Sequence, residues 1–170
     1  MPKLTKVFRV EIVKPVDDTW DNIGPKLREL QRQTASALNF CMRKYYIAAA
    51  EEYEKIKNKK DKIKRKDLPL INKSLCSMLK KPYGELMTSY VYGQVSDIAR
   101  HRFTNDWFDV IISGKKSLPS YRIDCPIYVG NIGGQGININ EEDTENGITR
   151  TIGLKLLQKS GFTRFILHNN

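Results

Sequence analysis

Two segments of the sequence carry side chains suited to binding nucleic acid. Lys115 to Arg122 (KKSLPSYR) is a basic turn with an aromatic residue inside it, and Pro119 is expected to hold it extended. A helical stretch before it presents a polar and aromatic set: Tyr90, Tyr92, Gln94, Ser96, Arg100 and Arg102. Glutamine can pair bidentately with adenine, tyrosine can stack on a base, and lysine or arginine neutralises phosphates. Helical tyrosines are more often core residues, and such a turn is more often an ordinary loop, so both interpretations stay open.

No pattern in the sequence is typical of a catalytic centre. His101 and His168 lack metal-ligand spacing, which favours surface or hydrogen-bonded side chains. The segment GNIGGQG, residues 130 to 136, has the glycine content of a phosphate-binding loop, but no helix of adequate length follows it. A loop or bulge between strands is therefore the favoured interpretation. No nucleophile elbow, zinc-protease helix or Walker loop occurs, and we predict neither a catalytic residue nor a metal ligand.

Cysteine usage and hydropathy bear on the compartment. Cys41, Cys76 and Cys125 lie far apart without a CxxC pair, which favours a reducing environment over a disulfide scaffold. No apolar run approaches the roughly 18 residues of a membrane span. The opening MPKLTKVFRVEIVKP lacks the apolar core of a secretory signal. We expect a cytoplasmic protein with no membrane partner.

The charge of the chain is concentrated in one segment. The 170 residues contain 29 Lys and Arg against 19 Asp and Glu, a formal net charge of +10. The run from Lys55 to Lys66, KIKNKKDKIKRK, holds eight basic residues and one acid, so it supplies +7 of that total. Such a run attracts phosphate strongly. It is equally compatible with a solvated linker.

Helical spacing dominates the middle of the chain. After Asp17, Asp18 and Thr19, apolar residues recur at helical intervals and predict a long amphipathic helix from about Asn22 to about Tyr53. Its outer face carries Lys26, Arg28, Arg32, Arg43 and Lys44. A short helix is predicted from Leu70 to Leu79 and a turn at Pro82, Tyr83 and Gly84. A second long helix, Glu85 to Ile112, is predicted to stop at Ser113 and Gly114.

Strand patterns lie at the two ends of the chain. Residues 3 to 14 alternate with period two up to Pro15, and Gly136 to Asn140 alternates again. The polar segment EEDTENG, 141 to 147, is predicted to be a turn before strands at Ile148 to Leu157 and Phe162 to His168. A lone N-terminal strand needs a sheet, and the simplest partner is the C-terminal set of strands. This arrangement is an α+β fold with a helical block inserted into a small β-barrel or sheet.

Four stretches resemble one family in their order along the chain. The stretches are KVFRVEIVKPVDDTW, LRELQRQTASALN, GQVSDIARHRFTNDWF and SGKKSLPSYRIDCPI. They are similar to compact type V-F CRISPR-associated (Cas12f-like) RNA-guided nucleases and to the related transposon-encoded TnpB nucleases. The resemblance covers essentially the whole chain. It implies a wedge β-barrel of oligonucleotide-binding type at 1–16 and 115–170 and a helical recognition domain at 17–114.

The resemblance also implies partners and site residues. The expected partners are a guide RNA and target double-stranded DNA, with a homodimer as a further expectation for this group. Such proteins leave sequence choice to base pairing and read only shape and a flanking motif. Tyr90 and Gln94 match helical positions near the flanking DNA motif, and Ser120, Tyr121 and Arg122 fall in the matched turn. The expected phosphate contacts are Lys14, Arg28, Arg32, Lys115 and Lys116.

The sequence departs from the family in one respect. Relatives continue into a RuvC-type nuclease domain whose carboxylates bind two metals, and these residues are missing from the sequence. We therefore expect no cofactor in this chain, with Mg²⁺ belonging to the nuclease domain, and no cleavage by this chain alone. The chain is expected to be either part of a nuclease or a nuclease-less relative. An alternative function is a helical module for protein-protein interaction or dimerisation.

Overall fold

The structure, a computed structural model, describes residues 11–58, 63–68, 71, 73–145 and 147–168. Its elements are β1 (Ile12–Pro15), α1 (Trp20–Ile56), α2 (Cys76–Tyr83), α3 (Ser89–Trp107), β2 (Ile137–Thr144), β3 (Gly147–Leu154) and β4 (Thr163–Leu167). A π-helical turn, Phe108–Ile112, extends α3. The predicted α+β class is therefore confirmed. None of the described helices combines the length and the apolarity needed to cross a bilayer.

The N-terminal strand joins the C-terminal strands, as predicted. The sheet order is β1-β4-β3-β2 with antiparallel neighbours, and Pro15 pairs with Phe165. Pro15 closes an edge strand, where its missing N–H group removes no ladder bond. Over the described residues the sheet is open, with β1 and β2 at its edges. Most of the predicted first strand, residues 3 to 10, lies outside the described residues.

Helix α1 contains the predicted helix and is slightly longer. Thr19 caps its first turn, because its Oγ1 accepts from the Asn22 N–H at 3.4 Å. The apolar stripe is buried from Ile23 to Tyr45, and Tyr45 stacks on Phe103 of α3 with ring centroids 5.9 Å apart. The predicted outer face is exposed along its length. Packing on one face therefore leaves the cations of the other face in solvent.

The two later helices begin further along the chain than predicted. Helix α2 starts at Cys76 because the preceding residues bond to other elements. Tyr45 Oη donates to the Lys73 carbonyl at 2.6 Å, and the Leu75 N–H donates to Ser96 Oγ at 2.9 Å. Helix α2 also includes Pro82 and Tyr83, which were wrongly predicted to form a turn.

Helix α3 starts at Ser89 because residues 86 to 88 bond to the segment between β3 and β4 instead. The Gln158 N–H donates to the Leu86 carbonyl at 2.8 Å, and the Thr88 N–H donates to the Leu156 carbonyl at 3.3 Å. The predicted end is correct. The π-helical turn stops at Ser113, and Gly114 adopts a φ of +62°, a conformation that favours glycine.

One prediction about the strands is wrong. Glu141 to Thr144 belong to β2 rather than to a turn, and they pair with Gly147 to Arg150 of β3. Arg150 Nε lies 2.7 Å from Glu141 Oε1 across the ladder. Backbone pairing and this cross-strand pair outweigh the low strand propensity of acidic residues.

Helices and sheet share one hydrophobic core. Phe165 of β4 is buried with Leu156 and Leu157, and its ring stacks on Trp20 at a centroid distance of 6.0 Å. The start of α3 is bound to the same region, since Thr88 Oγ1 donates to the Lys155 carbonyl at 2.5 Å. The core therefore fixes the helical face relative to the sheet.

Candidate nucleic-acid interface

Residues 115–130, called the strap here, run from the end of α3 back to its start. Near the beginning of the strap, Lys116 pairs with Asp106 of α3, and at its end the Gly130 N–H donates to the Tyr90 carbonyl at 2.8 Å. As the strap advances from 116 to 130, the α3 residues that it contacts go in the opposite direction, from 106 to 90. The strap therefore carries the predicted SLPSYR turn along the helices instead of away from them.

Two amides on α1 hold the middle of the strap. Asn39 Nδ2 donates to the Tyr121 carbonyl at 2.9 Å and Asn39 Oδ1 accepts from the Tyr121 N–H at 2.8 Å. Gln31 Nε2 donates to the Cys125 carbonyl at 2.9 Å. Sequence reasoning missed both residues. The available signal was their spacing of eight, which places two amides near one face of a helix beside the apolar stripe.

The docked strap and α1 enclose a cleft between two arginines. This cleft of about 500 Å³ is lined by Arg28, Gln31, Arg122, Ile123 and Asp124. The Arg122 side chain is 90% exposed and lies 3.9 Å from Asp124 Oδ1, while Ile123 is 68% exposed. Among the described residues no carboxylate forms an ion pair with Arg28. Arg28, a predicted phosphate contact, and Arg122 of the matched turn, far apart in sequence, thus line one opening together with an exposed apolar side chain.

Other predicted phosphate contacts are paired within the chain. Arg32 Nη2 lies 2.7 Å from Glu29 Oε1, and this contact, with Gln33, lowers the pKa of Glu29 to about 2. Lys116 Nζ lies 2.9 Å from Asp106 Oδ1 and 3.0 Å from Asp109 Oδ2. These hydrogen bonds raise the pKa of Lys116 and lower that of Asp109. Part of both positive charges is therefore already neutralised.

Tyr90 and Gln94, one turn apart on α3, face the glycine-rich loop 130–136. Tyr90 Oη donates to Gln135 Oε1 at 3.1 Å. A Cβ atom placed on Gly130 would lie 3.2 Å from Gln94 Oε1, so the loop backbone comes close to the helix. The segment is a loop, as predicted, but it joins the strap to β2 and does not lie between two strands. Asn131 Oδ1 holds it by accepting from the Gly136 and Ile137 N–H groups, both at 3.1 Å.

The remaining predicted residues are dispersed. Lys14 is exposed on β1, and Lys115 and Ser120 are exposed on the strap, whereas the Tyr121 ring is half-buried. Burial raises the pKa of the Tyr121 hydroxyl. Within the described residues no group of three His, Cys, Asp or Glu side chains is placed to hold a metal ion.

The structure also corrects the predicted set of polar and aromatic side chains on the second long helix. Tyr92 and Ser96 are buried, and Ser96 Oγ bonds to Leu75, so these two side chains face the core. The basic run 55–66 is described only in part: Lys57 pairs with Glu54 at the end of α1, and residues 59 to 62 lie outside the described residues.

One known protein shares a short segment with this chain. A stretch of 36 residues is 53% identical to the CRISPR-associated endodeoxyribonuclease Cas12f1 of Sulfoacidibacillus thermotolerans. It covers 21% of this chain and 8% of that protein, a smaller extent than the resemblance implied. No protein-family profile matches the chain.

Proposed function

We propose that this chain is the nucleic-acid-binding portion of an RNA-guided DNA nuclease of the Cas12f-like kind. In this proposal the sheet and strap, within 1–16 and 115–170, form the wedge, and 17–114 forms the recognition domain. Together they hold a guide RNA and contact target double-stranded DNA beside the guided site. Cleavage with Mg²⁺ belongs to a RuvC-type domain and not to these residues. The short similarity to an endodeoxyribonuclease supports this proposal.

The observation that carries the proposal is the cleft between Arg28 and Arg122. Its volume suits a nucleotide-sized group. Guanidinium groups bind phosphate in a planar, bidentate manner, and the exposed Ile123 offers an apolar contact to a sugar or base. Gln31, which holds the strap, also lines the cleft, so the position of Arg122 relative to Arg28 is fixed by hydrogen bonds.

The test measures fluorescence anisotropy of a labelled RNA hairpin and a labelled DNA duplex with the full chain between about 50 and 200 mM salt. Wild type is expected to bind with an affinity that falls by orders of magnitude over this range. The R28Q and R122Q variants should each lower affinity and reduce the logarithmic salt slope by about one. Absent or salt-insensitive binding by wild type would overturn the proposal.

A second candidate function is protein-protein interaction through the helices. A groove of about 380 Å³ between α1 and α2 is lined in part by Ile47 and Met78, which are 50% and 52% exposed. Exposed apolar side chains of this kind mark interaction surfaces. Light scattering of wild type and of the I47E variant tests it: a dimer that dissociates on substitution supports this function, and a wild-type monomer at all concentrations contradicts homodimerisation.

A further inference from the structure

Lys155, directly after β3, is held between two aromatic rings. Its Nζ lies 5.2 Å from the ring centroid of Tyr90 and 5.0 Å from that of Phe162. The backbone is fixed as well, since its N–H donates to the Gly136 carbonyl at 3.0 Å and its carbonyl accepts from Thr88 Oγ1. Both ends of this flexible side chain are therefore held in position before any ligand binds.

No carboxylate of the described residues neutralises the charge of Lys155. Arg32, Lys116, Arg150 and Arg164 each have a carboxylate within ion-pair distance. In the part of the chain that the structure describes, no carboxylate lies within that distance of Lys155. Cation–π contacts stabilise the ammonium but supply no counter-charge, so its full charge is available to an external anion.

The surroundings suit a polyanion. Tyr90 places its hydroxyl on Gln135, and the adjoining loop presents Gly133 and Gly134, where no atom lies within 4 Å of an added Cβ. A ligand backbone can therefore approach this face closely.

We propose that Lys155 binds a phosphodiester group of nucleic acid, and that Tyr90 and Phe162 act as positioning residues for its ammonium. This inference rests on the proposed function and adds a contact that the sequence did not suggest. It assigns Tyr90 a second role besides contact with a base. The phosphodiester can come from the RNA or from duplex DNA, which share this chemistry.

The experiment compares single variants of the full chain by anisotropy with the labelled RNA hairpin and DNA duplex. K155M is expected to lower affinity about three- to tenfold and to reduce the salt slope by about one, whereas K155R retains both. F162L keeps the charge of Lys155 but removes one of the two rings that position its ammonium. It should lower affinity about twofold without changing the salt slope. R150M is the matched control, because it removes a nearby cation, on β3 itself, whose charge is already neutralised by Glu141.

The outcomes separate this inference from the proposed function. Wild-type binding together with unchanged K155M binding to both probes overturns the inference alone. Equal losses in K155M and R150M also overturn it, because bulk charge then explains the effect. Absent wild-type binding overturns the proposed function and the inference with it. A loss of affinity confined to one probe supports the inference and identifies the bound nucleic acid. If K155M is unfolded in a thermal melt, K155Q replaces it in the experiment.

Discussion

Asn39 on α1 pairs with both backbone groups of Tyr121, at 2.9 Å through its amide nitrogen and 2.8 Å through its amide oxygen. This side chain thus bonds to the strap as a neighbouring strand would. The contact joins residues 82 positions apart and fixes where Arg122, the next residue, leaves the helix surface. The geometry of the arginine cleft therefore depends on an uncharged residue outside it.

Replacement of Asn39 is expected to destabilise the strap. N39A leaves a half-buried N–H and carbonyl of Tyr121 without their partner, which costs about 1–3 kcal/mol. Urea denaturation should show this loss, and nucleic-acid affinity should fall although no charge has changed. N140A is the control, because Asn140 is exposed on β2. Equal stability of N39A and N140A would contradict the role of this pair.

Removal of Glu29 is expected to strengthen nucleic-acid binding. Arg32 donates to both carboxylate oxygens of Glu29, at 2.8 and 2.7 Å, so E29Q releases a guanidinium one turn from Arg28. The logarithmic salt slope should rise by up to about one. E85Q removes the same charge from an exposed position on the α2 to α3 connection and serves as control. A gain of the same size in E85Q would assign the effect to net charge.

The same ion pair predicts a pH dependence. Hydrogen bonds from Arg32 and Gln33 lower the pKa of Glu29 from 4.5 to about 2. Because the folded pKa is depressed, the stabilising effect is fully present above pH 4.5 and is lost as the pH falls towards 2. An NMR titration of the Glu29 carboxyl should give the low midpoint, and R32Q should move it towards 4.5. An unchanged midpoint in R32Q would show that Arg32 is not the cause.

Two features of the fold were predictable from the pattern of the sequence. The stripe from Ile23 to Tyr45 has helical spacing, and the lone strand ending at Pro15 required partners that only the C-terminal strands could supply. The starts of α2 and α3 were not predictable, since residues 73 to 75 and 86 to 88 bond to distant elements. Local propensity contains no information about such partners.

The candidate site follows the same division. The resemblance pointed to Arg28 and Arg122 one by one, but only the docked strap brings them to one cleft. Lys116 was predicted as a phosphate contact, and its pairing with Asp106 and Asp109 depends on how the chain turns after α3. Lys155 has no sequence signal, because its two rings come from positions 90 and 162, which are far apart along the chain.

Cys41 is expected to be the least reactive of the three thiols. Burial raises the pKa of the Cys41 thiol to about 12, and it raises the pKa of Cys76 and Cys125 in the same direction. The thiolate is the reactive form, so Cys41 should be alkylated last by iodoacetamide in the native protein. Mass spectrometry of partly labelled peptides measures the order, and labelling in denaturant gives equal rates as control. Cys41 labelling as fast as Cys76 in the native protein would contradict the packing of α1.

Two glycine substitutions are expected to act in opposite directions. A Cβ at Gly136 would lie 1.9 Å from the Gly130 carbonyl oxygen and 3.0 Å from Tyr90 Cδ1, so G136A forces the loop away from α3. The expected loss of stability is about 1–3 kcal/mol. Gly93 lies within α3, where an added Cβ would lie 3.9 Å from Cys76 Sγ, an ordinary contact distance, so G93A should stabilise by about 0.5–1 kcal/mol.

Urea denaturation of both variants compares the same chemical change at a crowded and an open position. G136A should also weaken nucleic-acid binding, because the displaced loop no longer holds Gln135 against Tyr90 and no longer accepts the Lys155 N–H at the Gly136 carbonyl. G93A should bind as wild type does, since its methyl group would face Cys76 and leave the loop 130–136 in place. A G136A variant with wild-type stability and affinity would show that the loop does not pack on α3, and the position assigned to Lys155 would then be wrong as well.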